Sequence, residues 1–210
     1  MRAIRENYSG WKDLGPGGLP FNPLGWLIAT ALRPLGRSPM TVAGVSVREP
    51  SWELPLRGGP RPPVAPYPIP HRQTGETAGP EGVAALAGLL ESYASASDGR
   101  MYMARSRFER RGEALFVADD FRTTPVLRKS GGELAHVHSG DGSLHVVMDL
   151  SDAQAIIDAG WGELHPLAGR PLIGLPEPYV LLYSPRDKGD IRQISLIVDR
   201  VVRSALQRPS

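Results

Sequence analysis

The sequence predicts an α+β fold: an antiparallel sheet with packed helices and an N-terminal Gly/Pro-rich strap. Three observations predict it. Residues 81–96 and 187–206 repeat apolar side chains at three- and four-residue steps, the period of a helix buried on one side. Residues 100–118 and 134–150 each read as two short apolar runs around a turn that contains glycine, the pattern of antiparallel pairs. Residues 1–80 differ in texture. They carry eight prolines between positions 49 and 77: Pro50, Pro55, Pro60, Pro62, Pro63, Pro66, Pro68 and Pro70.

Proline fixes φ and removes a backbone donor, so residues 49–77 should be extended and irregular. Trp52, Leu54, Leu56, Val64, Tyr67 and Ile69 are interleaved with the prolines. Apolar residues at that density predict a strap laid over a body rather than a disordered arm. The chain is therefore read as one domain over 1–210: an irregular arm over 1–80 packed on an α+β core over 81–210. Earlier in the arm, the apolar run 24–32 is closed by Arg33 and Pro34 and is far shorter than the ~20 residues of a membrane span. It reads as a short helix, docked on the core or lying on a membrane surface. With only Arg33 and Arg37 as flanking charges, docking is the expectation.

The core elements follow in order. The helix over 81–96 buries Val83, Leu86, Leu89, Leu90 and Tyr93, and Asp98-Gly99 ends it. Strands are predicted over 100–109 and 113–118, joined by Arg110, Arg111 and Gly112. A second pair is predicted over 134–138 and 143–150. Ser151 and Gln154 fit a capping box that opens a helix, with Asp152 in its first turn and Gly160 as its stop. Residues 179–183 form an apolar strand. Asp187 caps the last helix, which is expected to bury Ile191, Ile194, Leu196, Ile197, Val198, Val201, Val202 and Leu206.

Composition narrows the function. With 210 residues the chain can bury a real core. It has 24 Lys and Arg against 22 Asp and Glu, a net charge of +2, and no basic block. That argues against a nucleic-acid-binding role, which needs a basic stripe. Cysteine is absent, which removes disulfides, thiolate nucleophiles and cysteine metal sites. Residues 1–10 are polar and lack the apolar segment of a secretory signal. The expectation is a cytoplasmic protein without a stable membrane span.

The histidines are the informative part. Four of the five, His136, His138, His145 and His165, fall within thirty residues. His136 and His138 are two apart in a strand and share a face. If Asp141-Gly142 is a two-residue hairpin turn, Gly140 pairs with Ser143 and His138 lies opposite His145. The three imidazoles then converge, and Ala135, Val137, Leu144, Val146 and Met148 form the opposite, apolar face. Such a cluster suits a proton-transfer pocket. It also suits a divalent metal held by His136, His138 and His145, although no carboxylate stands at cupin-like spacing. A hydrogen-bonded sheet surface is the plain alternative. Downstream, Trp161, Glu163 and His165 are separated by two and can present an aromatic wall, a carboxylate and an imidazole together. Arg186 stands at a strand-to-helix junction, where a cation can meet an anionic ligand.

The order Ala135-His-Val-His138, Ser143-Leu-His145, Gly160-Trp-Gly-Glu-Leu-His-Pro-Leu-Ala-Gly169 and Tyr183-Ser-Pro-Arg186 resembles that of fungal luciferases and their bacterial relatives. A weaker likeness extends through Leu14-Gly-Pro16, Leu56-Arg-Gly-Gly-Pro-Arg-Pro62 and His71-Arg-Gln73, so it covers about residues 12–206. The resemblance implies oxygen-dependent oxidation of a hydroxypyrone such as 3-hydroxyhispidin, with loss of carbon dioxide and, in some members, light. It implies molecular oxygen as co-substrate with no cofactor required; the divalent metal stays the alternative. His136, His138, His145, His165 and Arg186 are the expected catalytic residues, with His138 or His145 as base. Trp161, Glu163, Tyr183, Arg61, His71 and Arg72 are the expected substrate contacts. The partner is a small molecule, and a non-catalytic module that binds an aromatic ligand is the reading from another class.

Overall fold

A computed structural model describes residues 2–42, 52–171 and 173–207. Glu49, Pro50 and Ser51, the first part of the expected strap, lie outside the described residues. Along the chain the elements are α1 (Arg2–Asp13), α2 (Pro23–Leu32), α3 (Pro80–Ser95), β1 (Met101–Arg105), β2 (Glu113–Val117), α4 (Pro125–Ser130), β3 (Glu133–Val137), β4 (Leu144–Val147), α5 (Leu150–Asp158), β5 (Gly162–Leu164), β6 (Tyr179–Leu182) and α6 (Lys188–Leu206). The six strands form one antiparallel sheet in the order β1-β2-β3-β4-β6-β5. The fold is α+β, as the periodicities predict.

The sheet has two different faces because strand side chains alternate. Ala135, Val146 and Val180 pair across β3, β4 and β6, and so do Val137, Leu144 and Leu182 with their neighbours. This face packs with Leu86 and Leu90 of α3 and Ile194, Ile197, Val198 and Val201 of α6 in one cluster. Each Leu or Ile buried there is worth about 1.5–3 kcal/mol. The opposite face carries His136 beside His145 and Leu181, and the strap covers it.

The strap is held by side chains and backbone together. Its 63–74 segment doubles back: Ala65 N–H donates to the Arg72 carbonyl, and Thr74 N–H to that of Pro63. Arg61 donates to the carbonyls of Gly162 and Ile157. Gln73 Oε1 accepts from Ser184 N–H at 2.8 Å, and Ala78 N–H donates to Ser184 Oγ at 2.7 Å. These contacts set His71 onto the histidine face.

Several expectations need correction. The hairpin 138–143 does not turn at Asp141-Gly142 alone. His136, not His138, pairs with His145, and four residues form the loop. Asp141 Oδ1 accepts from both the N–H and the hydroxyl of Ser143, Gly142 N–H returns to the His138 carbonyl at 2.9 Å, and Gly142 takes φ +74. This Asx-type turn outcompetes the tighter hairpin. The shift is two residues, so the predicted face is kept. The first strand ends at Arg105 rather than 109, because Ser106 turns the chain: its hydroxyl accepts from Glu109 N–H. Helix α5 begins at Leu150, so Ser151 is not its cap and no capping box forms. Gln154 instead accepts from Val42 N–H.

The arm is more ordered than predicted. Helix α1 buries Trp11, whose indole donates to the Ile69 carbonyl at 3.0 Å. Helix α2 was expected. Asn22 caps it and Pro23 occupies its first turn. Gly25 meets the Pro20 carbonyl so closely that a Cβ would stand 1.8 Å from the oxygen. Ala29 is buried, while Leu24 and Leu27 remain exposed. No helix among the described residues is long and apolar enough to cross a membrane.

Candidate functional site

All five histidines meet on the covered face, and all five are buried. Strands β3 and β4 supply His136 and His145, and the loop after β3 supplies His138. His165 follows β5, and the strap brings His71. Three rings form a hydrogen-bonded row. Glu163 Oε1 meets His71 Nε2 at 3.0 Å. His71 Nδ1 meets His145 Nε2 at 3.2 Å, and His145 Nδ1 meets His138 Nε2 at 3.1 Å. His138 Nδ1 then reaches Ser143 Oγ at 2.9 Å, and that hydroxyl donates to Asp141 Oδ1 at 2.5 Å.

His136 stands beside this row. Its Nδ1 lies 2.7 Å from Glu133 Oε1, a carboxylate that also accepts from Ser106 Oγ and Arg107 N–H. His136 Nε2 is buried and has no hydrogen-bond partner among the described residues. His165 is oriented by backbone: its Nδ1 accepts from Leu167 N–H at 3.1 Å, and the ring also bonds to the backbone of Pro68.

A cavity of about 390 Å³ opens beside the cluster. His71, His136, His145, His165 and Glu109 give it a polar, titratable side. Phe108, Tyr179, Leu19, Ile69 and Leu175 give it an apolar and aromatic side. Tyr179 lies parallel to His145 at 4.5 Å between centroids and 5.0 Å from Phe108. Glu109 is fixed by Arg72, whose Nη2 donates to its Oε2 at 2.8 Å. Its Oε1 lies 3.4 Å from His138 Nε2.

Burial sets the protonation. It pushes His138, His145 and His165 below the ordinary histidine range, and the neighbouring imidazoles push His145 and His165 further the same way. These rings are neutral at neutral pH. Burial, then Glu133 and Glu109, push the Tyr179 hydroxyl up. Burial and then Glu163 do the same to Tyr183. Both phenols stay protonated.

Of the residues singled out from sequence, His71, His136, His138, His145, His165 and Glu163 are brought together. Tyr183 supports the set by donating to Glu163 Oε2 at 2.9 Å, and Arg72 holds Glu109. Others stand apart from the cavity. Trp161 is in the main apolar cluster, its indole donates to the Pro55 carbonyl at 2.7 Å, and it does not line the cavity. Arg61 is spent on backbone carbonyls. Arg186 pairs with Asp190 and the Gly58 carbonyl at the start of α6 and does not line the cavity.

Sequence reading misses Glu109, Glu133, Phe108 and Tyr179 as site residues. The positions of Glu109 and Phe108 fall at the end of the strand expected over 100–109, which in fact stops at Arg105. Glu133 is three residues from His136, which in a regular strand puts them on opposite faces. A bulge changes this: β2 pairs Leu115 with Ala135 but Phe116 with Glu133. That extra residue turns Glu133 toward His136.

Comparison with known proteins places the likeness on this region. The family profile described as the luciferase domain matches residues 131–200. A luciferase of Armillaria ostoyae is 29% identical over 214 residues, covering 93% of this chain and 79% of that protein. A luciferase of Armillaria mellea matches to the same extent. One of Neonothopanus nambi is 27% identical over 212 residues, with 93% and 79% covered. No solved structure matches the chain.

Proposed function

The chain is fungal-luciferase-like over most of its length, and from that premise we propose that it is a small-molecule oxygenase acting on a planar hydroxypyrone or polyphenol. The observation that carries the reading is the two-sided cavity. Phe108 and Tyr179 offer ring faces to a flat substrate. The opposite side offers imidazoles and a carboxylate to its hydroxyls. A cavity of about 390 Å³ accommodates a molecule of two or three small rings.

The reaction begins with removal of an enol proton. Glu109 is the base in this reading, in place of His138 or His145. The nitrogens of those two rings face each other and neighbouring side chains, whereas Glu109 lines the cavity and is held by Arg72. The resulting anion is electron-rich and reduces oxygen, which bonds to two ring carbons as a cyclic peroxide. Breakdown of the peroxide releases carbon dioxide and opens the ring. One oxygen molecule enters and one carbon dioxide leaves, and the proton on Glu109 returns to the product. His165, with its ring fixed by Leu167 and Pro68, lines the cavity and borders the developing charge.

The test is an oxygen electrode trace, with light recorded together, on adding 3-hydroxyhispidin to the purified chain. Uptake in the wild type and at least a hundredfold slower uptake in Glu109→Gln are expected. Tight binding without uptake would instead make the chain a binding module for an aromatic ligand.

A further inference from the structure

We propose that His136, His138 and His145 hold one divalent transition-metal ion. A use of this ion in catalysis rests on the cavity reading above. An ionised carboxylate only accepts hydrogen bonds. Glu133 therefore requires the proton of His136 on Nδ1, at 2.7 Å. Asp141 takes the Ser143 hydroxyl proton, so Ser143 Oγ can only accept from His138, whose proton is then on Nδ1. Glu163 takes the proton of His71 Nε2. His71 Nδ1 is thus an acceptor, and His145 must donate to it from Nε2.

With one proton on each imidazole, each proton is now spent outward. The inner nitrogens, His136 Nε2, His138 Nε2 and His145 Nδ1, are left as bare lone pairs. One ligand nitrogen from each of the three residues lies within 4.8 Å of the other two. The His138 and His145 nitrogens are only 3.1 Å apart. Two nitrogens bound at about 2.1 Å to one ion, at tetrahedral angles, sit about 3.4 Å apart. The third, on His136, is buried with no partner among the described residues. Glu109 Oε1, 3.4 Å from His138 Nε2, adds negative charge at the same point.

Three converging lone pairs beside a carboxylate call for a cation. A proton can bridge only one pair of them, whereas an ion satisfies all three. Three imidazoles suit zinc, iron, copper or nickel. The outer contacts are also those of a metal site, since ligating histidines characteristically donate their other N–H to a carboxylate or its relay. Here Glu133, Ser143 with Asp141, and His71 with Glu163 fill that role for the three rings in turn. His71, His145 and His165 form a second close trio. It is the poorer site, because Leu167 N–H occupies His165 Nδ1 and His71 and His145 are turned toward each other.

The experiment is metal titration of the chelator-stripped full chain with Zn²⁺ and Fe²⁺ by calorimetry, with metal content measured after desalting. One ion per chain is expected. His136→Ala should weaken binding at least a hundredfold, and Glu133→Gln, which keeps all three ligands, about 10–100-fold. His165→Ala should change it less than threefold. Far-UV circular dichroism on each variant establishes that it is folded. No binding by the folded wild type, or affinity in His136→Ala and Glu133→Gln equal to wild type, overturns the proposal. Oxygen uptake by metal-free protein would overturn a catalytic metal while leaving the oxygenase reading intact. One ion bound without any uptake would support the metal site and count against that reading.

Discussion

Tyr179 lies flat against His145, with ring centroids 4.5 Å apart and planes 11° from parallel. The tyrosine comes from the first residue of β6 and pairs with Val147, two residues beyond His145 on β4. Sheet register therefore builds the stack, and the stack holds the imidazole while its two nitrogens face His71 and His138. Tyr179→Phe keeps the ring and should change oxygen uptake less than about threefold. Tyr179→Leu removes the stacking energy, about 0.5–1.5 kcal/mol, and frees His145 to tilt. We expect uptake to fall at least tenfold in that variant while its circular dichroism stays native. Equal rates in Tyr179→Leu and wild type would show that the stack does not position the site.

Trp161 tests the division between core and cavity. Its indole N–H anchors Pro55 of the strap. Trp161→Phe should lose that bond and some packing, about 1–3 kcal/mol in urea unfolding. Substrate affinity should change less than twofold once the comparison is made at a temperature where both proteins are folded. A large rise in KM at unchanged stability would return the ring to the substrate wall.

Gly142 closes the loop that carries His138 to Ser143. With φ at +74, any other residue pays about 1–2 kcal/mol for the left-handed backbone. An added Cβ would also stand 2.7 Å from Ala78 Cβ and 2.9 Å from Ser184 Oγ. Gly142→Ala should therefore lower stability by at least about 2 kcal/mol and lower uptake with it. A variant as stable as wild type would contradict the turn geometry.

Asp190 sets the acid limit at the start of α6. Burial works to raise its carboxyl, but hydrogen bonds from Arg186 and the charge of Arg57 outweigh it, and the group is held below its ordinary value of 3.8. A carboxyl depressed in the folded state disfavours proton uptake there. Its stabilisation is full above about pH 4 and is lost as the pH falls below that. Asp190→Asn should cost about 1.5–3 kcal/mol at pH 7. The gap to wild type should narrow at pH 3. A gap that is the same at both pH values would rule out the ion pair as its source.

Much of this arrangement is legible in sequence because strand alternation has period two. The hairpin register differs by two residues from the expected one, with His136 rather than His138 opposite His145, and parity keeps all three rings on one face. The apolar set Ala135, Leu144 and Val146 fixed that face, since a one-residue slip would bury imidazoles against α3 and α6. What could not be read lies where local rules break. The bulge that turns Glu133 toward His136 leaves no mark in hydrophobic pattern. Glu109 reaches the site through a loop anchored by Ser106 and by Arg72 of the strap, contacts between distant parts of the chain. Helix α4 was missed although its signals are present: Thr124 caps it, Pro125 occupies its first turn and Gly131 ends it.

The most direct test of the account is the ratio of oxygen consumed to carbon dioxide released when the wild-type chain and Glu109→Gln meet 3-hydroxyhispidin. A ratio of one is expected in the wild type, with a rate at least a hundredfold lower in the variant. Oxygen uptake without carbon dioxide, or equal rates in the two proteins, would contradict it.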